Sequence, residues 1–259
     1  MLKTSVTNNE TDYLLTLVSD EAFQWALLAT VLAGLARGFS GFGAGMLFTP
    51  IVSLAYEPKF AIALLFLIDF IVAIPLLPGA IREYHIREVL PICLGATVTV
   101  PIGIYFLSSG DPIVLRYLIS IIILIFVALL ASGWRYRKSV SSLGLFGLGN
   151  LSGFLGGIST LYGPPILLFW MSRNTQSKTI RANIIIFFAY ISIVAGTGLW
   201  VSNLLTREAI VLAITLLPVY ALVVWIGAQF FQFSSERFFR NLVYSLIGLV
   251  AITSLPVWG

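Results

Sequence analysis

Residues 34–51 read GLARGFSGFGAGMLFTPI, and residues 149–166 read GNLSGFLGGISTLYGPPI. An ungapped shift of 115 positions aligns the two segments. The coincident pairs are Gly34 with Gly149, Gly38 with Gly153, Phe39 with Phe154, Gly41 with Gly156, Pro50 with Pro165 and Ile51 with Ile166. Both segments are apolar and both are interrupted by glycine. Such segments at corresponding positions of two halves indicate the binding site of a secondary transporter.

The composition indicates a membrane protein. Hydrophobic residues make up 59% and charged residues 10% of the 259 residues, whereas soluble domains carry about 25% charged residues. The net charge of +4 comes from basic residues in short loops between apolar spans, so it reports membrane orientation and predicts no nucleic-acid partner. One cysteine, Cys93, and one histidine do not make a metal site, and no Walker motif is present. We expect no metal and no cofactor.

Six apolar stretches are long enough to cross a bilayer, since a crossing helix takes about 20 residues. They are residues 60–79, 89–108, 112–134, 181–202, 208–231 and 239–257. Residues 22–56 and 140–172, which contain the glycine motifs, are apolar but broken. One continuous helix of about 35 residues would run about 52 Å, longer than the hydrocarbon core of about 30 Å. We therefore predict that each segment is a hairpin, or a broken helix, that enters the membrane and returns.

The loop charges favour hairpins over single crossings. With the basic loop 135–138 in the cytoplasm, hairpins place ten Lys and Arg residues in the cytoplasm and four outside. Single crossings would place seven on each side, which the positive-inside rule disfavours. A hairpin and three crossings give each half an odd number of helices, so the two halves have opposite orientations. We predict an all-α polytopic membrane protein with two inverted repeats and both termini outside.

This interpretation divides the chain into four segments. They are a polar N-terminal segment at 1–21, a first membrane repeat at 22–134, a basic cytoplasmic linker at 135–139 and a second membrane repeat at 140–259. The N-terminal segment lacks the basic start of a signal peptide, so we expect residues 22–37 to belong to the mature protein.

The two hairpin tips form the predicted binding site. Glycine lets a ligand approach the backbone, and a helix restarting after Gly43 or after Gly157 would point free N–H groups and a positive dipole end at an anion. The residues expected to bind substrate are Arg37, Ser40, Gly41, Gly43, Gly45, Asn150, Gly156, Gly157, Ser159, Thr160 and Tyr162. Those expected to set the hairpin geometry are Gly38, Pro50, Gly153, Pro164 and Pro165. The alternative is that the glycines form packing faces between helices.

Two charged residues lie inside the apolar segments. Arg37 precedes the first tip, where it either holds the charge of the substrate or pairs with a carboxylate. Asp69 is the one acid well inside a predicted span, and an acid there marks an ion or proton pathway. Asp69 is therefore the candidate ion-coupling residue, with a proton as the candidate coupling ion. It is also the candidate structural partner of Arg37.

Three residues at the start of the span 181–202 are candidates for a gate or an anion funnel. Lys178 and Arg181 are three positions apart and share a helix face, and Asn183 is a polar residue in an apolar segment. The alternatives are cytoplasmic anchoring for the two basic residues and hydrogen bonding between helices for Asn183 and Asn150.

The duplicated motifs, each ending in proline, resemble those of the sulfite exporter TauE/SafE family of membrane transporters. The family pattern is roughly G-x-x-x-G-x-x-G-x-G-G-G followed by proline. The first half matches at Gly34, Gly38, Gly41, Gly43, Gly45 and Pro50 and departs at Phe42 and Ala44. The second half matches at Gly149, Gly153, Gly156, Gly157 and Pro165 and departs at Ile158, Ser159 and Thr160. The resemblance covers residues 22–257 and implies transport of sulfite, sulfoacetate or other organosulfonates across the bacterial inner membrane.

Three functions remain open from the sequence. The first is a secondary transporter without enzymatic activity, working by alternating access with the anion at the paired tips. The second is a passive anion channel or scaffold, which needs no coupling residue. The third is an intramembrane serine protease, because Gly38-Phe39-Ser40-Gly41 fits the Gly-x-Ser-Gly pattern of rhomboid proteases, although His85 lies in a charged loop. The expected partners are a small anion and the lipid bilayer. Whether the chain forms a homo-oligomer is left open by the sequence.

Overall fold

A computed structural model describes residues 20–40, 43–132, 140–170 and 177–233, together with Ser245 and Ile252. Every regular element in these residues is helical. In chain order the α-helices are α1 (Glu21–Ser40), α2 (Ala44–Val52), α3 (Pro58–Ala73), α4 (Leu77–Ala80), α5 (Ile86–Ser109), α6 (Pro112–Ala131), α7 (Ser142–Ser159), α8 (Gly163–Trp170), α9 (Ser177–Val201) and α10 (Arg207–Phe233). A 3₁₀ turn at Ile74–Leu76 joins α3 to α4.

Four helices in the described residues are long and apolar enough to cross a membrane. These stretches are Ile86–Ser109, Pro112–Leu129, Thr179–Val201 and Arg207–Gln229. They confirm the predicted spans at 89–108, 112–134, 181–202 and 208–231. The predicted span at 239–257 lies outside the described residues apart from two positions, and the predicted linker at 135–139 lies wholly outside them.

The predicted span at 60–79 is interrupted. Helix α3 ends at Ala73, and the chain continues through the 3₁₀ turn into the short helix α4. Pro75 and Pro78 account for the interruption, because proline lacks the backbone N–H that continues a helical hydrogen-bond ladder and its ring crowds the preceding turn.

The two glycine motifs break their helices at different places relative to the glycines. In the first half α1 ends at Ser40 and α2 begins at Ala44, and Gly43 before it has a positive φ of 92°. In the second half α7 continues through Gly156 and Gly157 to Ser159, and Thr160 takes the left-handed conformation with a φ of 63°. The prediction that a helix restarts after Gly157 is therefore wrong: α8 begins at Gly163.

Glycine contacts set the packing of the longest helix pairs. A Cβ on Gly153 of α7 would lie 2.6 Å from the Ala96 Cα of α5, and one on Gly157 would lie 2.7 Å from the Val100 carbonyl oxygen. Gly38 of α1 approaches the backbone of α10 at Val224 in the same manner. Helices pack this closely where a side chain is absent, and small residues are typical of such contacts in membranes.

The contacts also give the relative directions of these helices. Along α5 and α7 the residue numbers of the contacting partners increase together, from Ile92 with Gly149 to Val100 with Gly157. The two helices therefore run parallel. Helices α1 and α10 are parallel too, because Gly34 meets Tyr220 and Gly38 meets Val224. Helices α5 and α9 are also parallel by three successive contacts. These contacts are His85 with Asn183, Thr97 with Tyr190 and Ile104 with Gly198.

The order of elements is the same in both halves. Each begins with a long helix (α1 or α7), a break and a short helix (α2 or α8) that packs against the helix before it. A further helical stretch and a long apolar helix follow in each half. The buried core is continuous across the halves and is formed by apolar residues of both.

Candidate functional site

One cavity of about 80 Å³ lies where the two helix breaks meet α3 and α9. Its lining includes residues from both breaks, from the last turn of α1 and from the facing sides of α3 and α9. The lining residues used below are Arg37, Gly45, Asp69, Thr160, Tyr162 and Phe188. The cavity therefore brings together residues from the two glycine motifs, which are separated by more than a hundred positions in the sequence.

Arg37 and Asp69 form an ion pair in this cavity. The Arg37 Nε donates a hydrogen bond to Asp69 Oδ1 over 3.0 Å. The Tyr220 hydroxyl of α10 donates to the same oxygen over 2.7 Å. The Arg37 and Asp69 side chains are 11% and 25% exposed, so the pair is largely removed from solvent. Of the two arrangements predicted for Arg37, the structure shows the pairing with a carboxylate.

An aromatic ring lies under the guanidinium. The Arg37 Cζ is 5.4 Å from the centroid of the Phe188 ring of α9, within the range of a cation–π contact. Among the described residues that line the cavity, Arg37 and Asp69 are the ones with a formal charge, and they have opposite signs. These two charges of the described lining therefore balance each other.

The two helix breaks touch each other beside this pair. Thr160 Oγ1 is 3.2 Å from Thr49 Oγ1 of α2, and a Cβ on Gly45 would collide with Thr160 Oγ1. The 115-residue shift that aligns the motifs also aligns Gly45 with Thr160. Two positions that the shift makes equivalent are therefore in direct contact.

The two short helices differ in the backbone donors they can offer. Helix α2 begins after Gly43, which has no side chain to cap the first N–H groups, and residues 43–46 line the cavity. Helix α8 begins Gly163-Pro164-Pro165, and proline has no N–H. The first half therefore presents the better N-terminus for an anion, and the second half contributes hydroxyl groups from Thr160 and Tyr162.

The predicted residues of the site, including those for ion coupling, hairpin geometry and the gate, fall into three groups. In the cavity lining are Arg37, Gly43, Gly45, Gly157, Thr160 and Tyr162, with Asp69 and Pro164. Away from the lining are Gly38, Pro50, Asn150, Gly153, Gly156, Ser159 and Pro165. Outside the described residues or side chains are Ser40, Gly41 and Lys178.

The residues away from the lining have structural contacts. Gly38 and Gly153 are at helix-packing contacts, and Gly156 lies against the Tyr162 ring. The Asn150 Nδ2 donates to the Phe146 carbonyl one turn earlier in its own helix. The Ser159 hydroxyl likewise donates to Leu155 of the same helix.

Of the candidate gate residues with described side chains, neither Arg181 nor Asn183 lines the cavity. Asn183 is buried, where its Oδ1 accepts from the His85 backbone N–H over 2.7 Å and its Nδ2 donates to Glu88 Oε2 over 3.4 Å. The Trp170 Nε1 donates to the same Glu88 oxygen over 3.0 Å. Asn183 thus joins the starts of α5 and α9 near the end of α8. Arg181 is exposed on α9.

Sequence reasoning missed three residues of the site. Tyr220 binds Asp69 across 151 positions, Phe188 lies under Arg37, and Thr49 contacts Thr160. The available signal was the polar group of Tyr220 inside an apolar span, which requires a hydrogen-bond partner in the membrane. No comparable signal singles out Phe188 from the other aromatic residues of the chain.

The described residues contain no cluster of three or more His, Cys, Asp or Glu side chains that could hold a metal ion. His85 is exposed at the start of α5, and its backbone N–H is bound to Asn183. The side chain of Ser40 is not among those described.

The model of the family described as sulfite exporter TauE/SafE matches residues 26–254. The match covers nearly the whole chain, so the chain belongs to this family of membrane transporters. No curated protein and no solved structure matches the chain.

Proposed function

We propose that this member of the sulfite exporter TauE/SafE family is a secondary transporter of the bacterial inner membrane that carries small sulfur-containing anions. The proposed substrates are sulfite, sulfoacetate or other organosulfonates. The observation that supports this most directly is one cavity lined by both helix breaks and by Arg37. A buried arginine is costly in a membrane protein, and it is found where it faces protein or a water-filled path.

The size and donors of the cavity fit a small oxyanion. A buried water needs about 10–15 Å³ of such space, so about 80 Å³ has room for roughly five water-sized groups. That space suits a sulfite or a short sulfonate. Arginine binds planar or tetrahedral oxyanions through its fork of N–H groups, and the uncapped start of α2 adds backbone donors.

The proposal includes inverted repeats, which the helix directions support. Helices α9 and α10 are consecutive crossings joined by residues 202–206, so they traverse the membrane in opposite directions. Helix α5 runs parallel to α9, and so α5 and α10, which hold the same place in the two halves, run oppositely. Helix α7 runs parallel to α5, and α1 runs parallel to α10, so α1 and α7 also run in opposite directions. Two halves in opposite orientation are the architecture of many secondary transporters.

The same directions agree with the loop charges. The starts of α5, α7 and α9 would fall on one side of the membrane, together with the basic residues Arg82, Arg87 and Arg181. The basic stretch 135–138 directly precedes α7 in the sequence. The starts of α1 and α10 fall on the other side. The positive-inside rule assigns the first side to the cytoplasm.

The position of the cavity at the contact between the two halves supports a mechanism of alternating access. The Gly45–Thr160 contact lies beside the cavity and between the repeats, so a rocking motion of one half against the other would open the cavity to each side in turn. A passive channel would instead need a continuous open path. Asp69 remains the proposed ion-coupling residue, and Arg37 the proposed substrate-binding residue.

The test is anion flux into proteoliposomes that contain the purified protein. We expect saturable uptake of sulfite or an organosulfonate, faster when the vesicles contain unlabelled substrate. Arg37→Gln should lower the flux at least tenfold, whereas Arg207→Gln, at the exposed start of α10, should leave it unchanged. Uptake by Arg37→Gln equal to that of the wild type would remove Arg37 from the site. Non-saturable flux without exchange would favour the channel.

A further inference from the structure

The Arg37–Asp69–Tyr220 cluster limits the charge that the cavity can take. Arg37 is the positive group in the described lining, and it already holds a carboxylate. An anion that enters a largely buried site must find a counter-charge, because an unpaired charge away from water is strongly unfavourable. With Asp69 ionised, one guanidinium would face two negative groups. The cavity would then carry a net negative charge.

A proton on Asp69 removes this conflict. It neutralises the carboxyl group, so the guanidinium and one monovalent anion balance each other. The protonated carboxyl group keeps a hydrogen-bonding function, since one of its oxygens can still accept from the Tyr220 hydroxyl. Tyr220 is fully buried and belongs to α10, so it can hold the side chain of Asp69 in place after Arg37 has turned to the substrate.

We propose that Asp69 is a built-in counter-anion of Arg37, positioned by Tyr220, and that a monovalent anion binds this site together with one proton that neutralises Asp69. The proposal rests on the function proposed above and narrows it in two respects. It makes the proton the coupling ion, one for each anion. It also favours the monoanions among the proposed substrates, hydrogensulfite and simple sulfonates, over dianions such as sulfoacetate, because a dianion would need a second proton.

The other surroundings of Asp69 contribute no competing charge in the described residues. Helix α2, which packs on α3, has no titratable residue, and the cavity-facing residues of α9 near Asp69 are Phe188 and Ser192. Helix α6 also packs on α3. Its Arg116 donates a hydrogen bond to the carbonyl oxygen of Tyr56. Tyr56 precedes the start of α3, whereas Asp69 lies near the other end of that helix. Among the described residues, the titratable groups bonded to Asp69 are Arg37 and Tyr220.

The direct measurement is the number of protons taken up on binding. Methanesulfonate is the probe, because it is a monoanion throughout the accessible pH range, and sulfate is its dianionic counterpart of similar shape. Calorimetric titration of the purified wild-type protein in two buffers of different ionisation enthalpy gives the proton count. We expect about one proton taken up per methanesulfonate, tighter binding of methanesulfonate than of sulfate, and an affinity that falls as the pH rises because binding takes up a proton.

Two variants separate the roles of the cluster. Asp69→Asn should bind methanesulfonate without proton uptake and with an affinity independent of pH. Tyr220→Phe removes a donor that favours the ionised carboxylate. It should keep the uptake of one proton and extend methanesulfonate binding to higher pH than in the wild type. A merely structural Tyr220 would leave this pH profile in place.

The outcomes distinguish this inference from the proposed function. Methanesulfonate binding without proton uptake in the wild type would overturn the inference, and so would tighter binding of sulfate. If sulfite is transported but methanesulfonate does not bind even at pH 5, the inference fails while the transport function stands. The wild-type proton count requires no variant, so the proposal can be refuted even if Asp69→Asn does not fold.

Discussion

Replacing Arg37 with glutamine removes the positive partner of Asp69 and leaves a shorter, neutral polar side chain. Breaking a buried ion pair by removing one partner costs about 3–5 kcal/mol. The Asp69 side chain is 25% exposed and keeps its hydrogen bond from Tyr220, so we expect a cost nearer about 2–3 kcal/mol. At about 2–4 °C per kcal/mol for a chain of this size, the apparent Tm should fall by roughly 4–12 °C.

The double variant Arg37→Gln/Asp69→Asn separates stability from function. It leaves no unpaired charge, so its apparent Tm should return to within about 3 °C of the wild type, less than 1 kcal/mol. Its anion flux should nevertheless stay at the background level, because the group that holds the anion is absent. The assays are thermal unfolding in detergent and flux into proteoliposomes for all four proteins of the cycle. Flux restored in the double variant, or a Tm unchanged in Arg37→Gln, would refute the reasoning.

Three further predictions concern packing and the contact between the halves. Gly153→Ala should lower the apparent Tm by several degrees, because its Cβ would meet α5 at 2.6 Å, whereas Gly147→Ala, with open space around it, should raise helix stability by about 0.5–1 kcal/mol. Thr49→Cys/Thr160→Cys, in a background without the native cysteine, should form a disulfide on oxidation and stop transport until it is reduced; transport by the oxidised form would contradict motion at this contact. Trp170→Phe should lower the apparent Tm by roughly 3–12 °C through loss of a hydrogen bond to a carboxylate, and a Tm equal to that of the wild type would contradict a stabilising role.

The first helix break could be predicted from the sequence because its cause is local. Gly43 adopts a positive φ, which glycine does without strain, and it lies in a cluster of glycines. The second break could not be placed in this way. Gly156 and Gly157 remain helical because close packing needs them, Gly156 against the Tyr162 ring and Gly157 against α5. The chain turns at Thr160 instead, a residue that seldom takes a positive φ.

The candidate site, like the helix breaks, could be predicted from the sequence only in part. Arg37 and Asp69 could be identified because charged residues are rare in apolar segments and are retained there for a role. Their pairing with each other is one of two predicted arrangements, and only the packing of α10 against both α1 and α3 decides it. Tyr220 completes the cluster across 151 positions, and a contact of that separation leaves no pattern in a single sequence.

Arg37 is proposed to hold a small sulfur-containing anion in the cavity between the two helix breaks. Thermal unfolding of the wild type and of Arg37→Gln/Asp69→Asn, with sulfite, sulfoacetate, methanesulfonate, sulfate and a neutral solute, tests it most directly. At about 100 times its Kd a ligand adds about 2.7 kcal/mol, which should raise the wild-type Tm by roughly 5–10 °C. We predict this gain with at least one sulfur anion in the wild type and with none in the double variant. An equal gain in both proteins, or a gain with the neutral solute alone, would contradict the claim.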